Sequence, residues 1–164
     1  MGKSLKLNSK GFTLAELVIS LAVGGFVLIA ILSVLGQNLR YNKMAQDQIF
    51  IQDQVRDTIQ GVSRLIMDKD EFTPRTNGAV FRRLLPTGSL EEVEFIHDPG
   101  TGELKYVLNG NATVLARDIT AISFKQGEKD DGTPIPNLIE LTVKGERGRA
   151  SFEITEKIVL RNMN

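Results

Sequence analysis

Apolar residues are distributed along this chain in three stretches, each with its own period. Residues 12–35 are apolar or small on every side and hold one charge, Glu16. Residues 36–72 are amphipathic. Val55, Ile59, Val62 and Ile66 are spaced four, three and four apart, which is one face of a helix. Ala45 and Ile49 extend that face upstream, and Asp47, Gln54, Arg56, Asp57 and Gln60 lie opposite. No proline precedes Pro74, so a nearly continuous helix from residue 12 to about 72 is expected, ended by Thr73-Pro74.

Beyond residue 78 the period changes to two. Strands are expected at 79–84, 92–97, 104–108, 113–116, 119–125, 138–144 and 151–160. Asp98-Pro99-Gly100-Thr101-Gly102 and Asn109-Gly110-Asn111 read as turns, and the link from Gly145 to Ala150 reads as a hairpin. The expected fold class is α+β: a long N-terminal helix packed under an antiparallel β-sheet head over residues 73–164. The amphipathic stripe keeps heptad phase for under two repeats, so packing against strands explains it better than a coiled coil.

As a helix, residues 12–35 rise about 36 Å, enough to cross a hydrocarbon core of ~30 Å. A carboxylate costs on the order of 2.5–3.5 kcal/mol at the centre of such a helix and less near its end. A residue with no task there would be Leu or Ala, so Glu16 is expected to have a partner outside this chain. Lys3, Lys6 and Lys10 precede the span, while Arg40 and Lys43 follow it. This modest bias places the N-terminus in the cytoplasm and the head on the exported side. A cleaved secretory signal fits less well, since the apolar run exceeds the usual h-region of ~7–15 residues and no A-x-A-like site follows it.

At Lys10-Gly11-Phe12-Thr13-Leu14-Ala15-Glu16-Leu17 the chain resembles the processing motif of type IV prepilins and type II secretion pseudopilins. The resemblance implies a leader over residues 1–11, cleavage between Gly11 and Phe12 by a membrane prepilin peptidase, and N-methylation of Phe12. It also implies that the apolar helix is retained, anchors the chain in the bacterial inner membrane, and later forms a filament core. Expected partners are other pilins or pseudopilins, an inner-membrane assembly platform and membrane lipid. Gly11 lets an extended backbone enter a protease cleft. Glu16 would pair with the new Phe12 amine of a neighbouring subunit, a pair that is strong only when both charges are present. Gly24-Gly25 interrupts the helix at roughly 1 kcal/mol per Gly relative to Ala. Either local melting on assembly or close helix packing through small residues fits that pair. Further on, residues 118–124, 134–143 and 159–162 resemble J-type pseudopilins and W-type minor pilins, the larger-headed minor components of such filaments.

Composition narrows the remaining chemistry. The formal net charge is zero over 20 basic and 20 acidic residues. Without the three leader lysines, 17 basic residues face 20 acidic ones, a net charge of −3. That balance disfavours nonspecific nucleic-acid binding as the main task. The chain has no cysteine, which excludes disulfides, thiolate metal sites and a lipidated Cys. It has a single histidine, His97, expected in a surface turn. Glu128, Asp130 and Asp131 crowd one loop and could hold Ca²⁺, although the order of an EF-hand is missing. Lys144, Arg147 and Arg149 form a basic group around the hairpin tip. They are the one feature that suggests an alternative, a membrane-tethered protein whose head binds DNA or a surface. No other cofactor is expected, and no P-loop, Rossmann glycine pattern, nucleophile elbow or zinc motif occurs, so catalysis is not expected.

Overall fold

The computed structural model describes residues 13–161. One helix, α1 (Leu14–Ile66), is followed by eight strands: β1 (Glu71–Arg75), β2 (Gly78–Leu84), β3 (Leu90–Asp98), β4 (Glu103–Leu108), β5 (Asn111–Ala116), β6 (Ile119–Glu128), β7 (Pro134–Arg147) and β8 (Ala150–Val159). The chain divides into two compact units, residues 1–43 and 44–164. The described part of the first unit is helix, and its side chains from Leu14 to Lys43 are exposed.

In the second unit, the helix from Met44 to Ile66 packs on the strands through Ile51, Val55, Thr58, Ile59, Val62 and Ile66. The expected face is present, but its upstream extension is Ile51 rather than Ala45 and Ile49. Ile51 lies one turn before Val55, whereas Ile49, six residues before Val55, falls on the far side and is 61% exposed. Thr58 is buried in this face, and its hydroxyl donates to the Gln54 carbonyl at 2.6 Å.

The strands form two antiparallel sheets, not the single one expected. Sheet A has the order β1-β2-β3-β4-β5, and sheet B the order β6-β7-β8. Alternation reveals which face of a strand is apolar but carries no information on where one sheet stops and the next begins. Phe81 of β2 meets Phe124 of β6 with ring centroids 5.6 Å apart, and Phe95 meets Phe124 at the same spacing, so aromatic contacts join the two sheets.

The helix ends at Ile66, six residues before the expected stop. Lys69 N–H returns to the Ile66 carbonyl at 3.0 Å, and Asp70 N–H already bonds Arg82 O at 2.8 Å. Pairing with β2 therefore captures residues 71–75 as β1, a strand the periodicity did not reveal. Pro74 sits within it on a sheet edge, where its missing N–H costs nothing. Lys69 is 3% exposed and lies 2.7 Å from Glu91 and 3.3 Å from Asp68, so the buried ammonium is paired.

Candidate functional site

The first described turn of α1 holds the most informative polar geometry. Thr13 N–H and Thr13 Oγ1–H both donate to Glu16 Oε2, at 2.9 Å and 3.0 Å. Glu16 N–H in turn points at Thr13 Oγ1, 3.3 Å away. This reciprocal arrangement is a capping box, in which Thr13 is the N-cap and Glu16 the third helical residue. It satisfies donors that a helix start leaves without intrahelical partners, and it sets the carboxylate at the positive end of the helix dipole. Thr13 is the other half of this cap, and its T-x-x-E spacing with Glu16 is a capping-box signature set inside an otherwise apolar run.

The cap aims the Glu16 carboxylate back toward the chain start. Gly11 and Phe12 lie outside the described residues. Glu16 is the only acidic residue from Leu14 to Gln46. Helix α1 is the one described helix long and apolar enough to cross a membrane. It runs unbroken through Gly24 and Gly25, and a Cβ at either would meet nothing within 4 Å.

At the other end of the chain, the three basic residues of the hairpin do not converge into a free patch. Arg147 folds back over the Phe50 ring, 3.9 Å from its centroid. Its Nε is 3.4 Å from Asp47 Oδ1, and its second guanidinium arm is 3.7 Å from Asp118 Oδ2. Lys144 Nζ lies 2.7 Å from Glu146 Oε1, and that hydrogen bond holds the ammonium pKa above its ordinary value. Arg149 is exposed and forms no ion pair among the described residues. Two of the three charges are thus spent within the head.

The acidic loop is likewise not assembled as a cation site. Among the described residues no group of three His, Cys, Asp or Glu side chains is placed to hold a metal ion. Asp131 instead accepts from Thr133 N–H at 2.9 Å, and the Thr133 hydroxyl and amide depress its pKa. Glu128, Lys129, Asp130 and Asp131 line an open surface depression together with Ile135, where Lys129 adds a positive charge.

His97 is not the surface residue expected. It is 5% exposed, with its ring Nε2 2.8 Å from Ile119 O and its own N–H bonded to Asn77 O. It ties β3 of one sheet to the start of β6 in the other. Asp98, next to it, does form the expected turn, accepting from Gly100 N–H at 2.9 Å. That bond, with the Thr101 hydroxyl, lowers its pKa.

With this geometry in place, comparison with known proteins bears on the N-terminus alone. Residues 6–32 match the family described as the prokaryotic N-terminal methylation motif. The match spans the Gly11–Phe12 junction, the capping box and most of the apolar helix. The motif is the prepilin-type signal of pilin-like prepilin-peptidase substrates, and the long apolar N-terminal helix is consistent with an inner-membrane anchor. The α+β arrangement, one long helix followed by antiparallel sheets, is that of a pilin-like chain. No curated protein and no solved structure matches the chain at a significant level.

Proposed function

We propose that the chain is a minor pilin or pseudopilin, a structural subunit processed between Gly11 and Phe12, methylated on Phe12 and assembled into a filament through its N-terminal helix. Glu16 carries this reading. It is one carboxylate in a 22-residue exposed apolar stretch, residues 14–35, and it lies inside the matched motif. A cap alone does not require an acid, because Gln can serve at the same position of a capping box. Beyond its interaction with the helix dipole, the negative charge is available to a second partner, and the amine of a neighbouring Phe12 is the one that cleavage supplies. In a low-dielectric helix bundle such a pair favours the slot where both charges are matched over any slot where one is alone. The head gives the subunit its surface contacts.

The test has two steps. Mass spectrometry of protein recovered from membranes is expected to give a chain beginning at methylated Phe12. Glu16→Ala is expected to be cleaved as efficiently as wild type but to be lost from sheared filaments. Recovery of only the uncleaved chain would dismiss the reading, as would filament incorporation of Glu16→Ala at the wild-type level.

A further inference from the structure

Charge along the helix beyond Glu16 has one sign. From Leu17 to Gln46 there is no acidic residue, and two cations, Arg40 and Lys43, follow the end of the apolar run at Leu35. Both are exposed and form no ion pair among the described residues. The next acid along the chain, Asp47, is paired with Arg147 at 3.4 Å. Basic residues flanking a span usually gather on its cytoplasmic side, so two of them just past the exported end run against that bias. No counter-charge among the described residues meets them, and a lipid phosphate is the one that the end of a span supplies.

We propose that Arg40 and Lys43 bind the phosphate of an anionic phospholipid in the exported leaflet, and that this contact sets the depth of the helix in the bilayer. The proposal rests on the reading of residues 12–35 as a membrane span with the head exported. Every side chain of the site lies in the first compact unit.

Position along the helix favours this ligand. Arg40 is five residues beyond Leu35, a rise of about 7.5 Å, and Lys43 is eight beyond, about 12 Å. The headgroup layer is ~5–7 Å thick on each side of the hydrocarbon core. Side chains on a helix lean toward its N-terminus, which here is the membrane end. Arg40 therefore reaches the phosphate level directly, and Lys43 reaches it by laying its long stem back along the helix. Three residues apart, the two share one face and can grip a single phosphate together. The guanidinium offers paired donors to two phosphate oxygens, and the ammonium adds a point charge. Tyr41, 67% exposed, stands beside Arg40 with the apolar ring and polar tip that suit the headgroup layer.

The same register places Glu16. It precedes Arg40 by 24 residues, about 36 Å of helix. That length is the ~30 Å core plus one headgroup layer. With Arg40 held at the exported phosphates, an upright helix has the Glu16 carboxylate at the cytoplasmic boundary of the core instead of inside it. A charge there costs less than one at the helix centre. The clamp thus holds the subunit, before assembly, in the register that tolerates an unpaired Glu16.

The natural absence of cysteine lets one label report on this leaflet. Gln37→Cys in the full-length chain carries a dye three residues below Arg40, where helical neighbours meet. The labelled chain is reconstituted in bilayers of phosphatidylethanolamine and phosphatidylglycerol, with a nitroxide high on the acyl chain of one lipid or the other. Quenching is expected to show phosphatidylglycerol enriched over phosphatidylethanolamine around the dye by about threefold or more, as two cations at a lipid surface require. In Arg40→Gln/Lys43→Gln the enrichment is expected to fall to parity. Arg40→Lys/Lys43→Arg is expected to keep most of it, and Arg56→Gln, which removes an exposed cation of the head, is expected to leave it unchanged. The leader lysines belong to the opposite leaflet and are common to all these chains. Equal quenching by the two lipids around the labelled chain overturns the clamp alone, as does an undiminished preference in Arg40→Gln/Lys43→Gln. Absence of quenching by either lipid overturns the span reading and the clamp with it.

Discussion

At the scale of single residues, Glu16 has two separable roles, one within its own chain and one between chains. As a cap it holds Thr13, and loss of an N-cap hydroxyl costs about 0.5–2 kcal/mol of helix stability. As a charge it offers something a neutral cap cannot. Glu16→Gln retains the hydrogen-bond geometry of a capping box, and Thr13→Ala retains the charge. Filament incorporation is therefore expected to fall in Glu16→Gln to the level of Glu16→Ala, and to stay near wild type in Thr13→Ala. The reverse ranking in sheared-filament yield would mean that capping, not charge pairing, is what assembly requires. Gly145 is a second residue with one physical reason to be itself. A Cβ there would lie 2.6 Å from Ile51 Cδ1 and 3.0 Å from Val55 Cγ2, where the hairpin strand crosses the helix closely. Gly145→Ala is expected to destabilise the head by about 1–3 kcal/mol through overpacking, read as a lowered Tm. His97 shows the limit of reading residues singly. Its place next to a turn suggested solvent, but the carbonyl that binds its ring comes from Ile119, 22 positions away.

At the scale of elements, period and punctuation made the helix and seven of the eight strands legible, to within a few residues at most ends. The Asn109-Gly110 and Asp98–Gly102 turns were visible because left-handed backbone is needed there. Asn109, Gly110 and Gly102 all have positive φ, at 51°, 82° and 68°. What could not be read was set by tertiary contact. β1 exists because β2 offers it a partner, and the helix stops at Ile66 because that pairing and the buried Lys69 ion pairs compete successfully with another turn. The hairpin tip was recognised as basic, but Asp47 and Phe50, which neutralise and cover Arg147, lie about a hundred positions earlier. Within the apolar helix, Gly24 and Gly25 keep regular structure in the isolated chain. If that site unwinds so that subunits fit together, hydrogen–deuterium exchange at residues 23–26 is expected to be slower in membranes than in assembled filaments. Equal protection in the two states would instead favour close helix packing through the small residues.

At the scale of the whole molecule, the apolar residues serve two solvents. Every buried hydrophobic side chain of the core lies between Ile51 and Leu160, whereas the apolar side chains of residues 14–35 are exposed and contribute nothing to that core. The two compact units separate at Lys43, eight residues beyond the apolar run. Stability of the head is therefore expected to reside in residues 44–164. A chain starting at Met44 keeps Asp47, Phe50 and the whole buried helix face, and with them the contacts of Arg147. It is expected to fold in water without detergent and to unfold in one cooperative transition. Its Tm should differ from that of the full chain in detergent by less than about 4 °C, roughly the shift produced by 1 kcal/mol in a domain of this size. A truncated chain without a cooperative transition would show that the N-terminal unit takes part in holding the head together. A cooperative transition at the full-chain Tm would locate the work of residues 1–43 outside folding, in the membrane and in whatever the chain assembles with there.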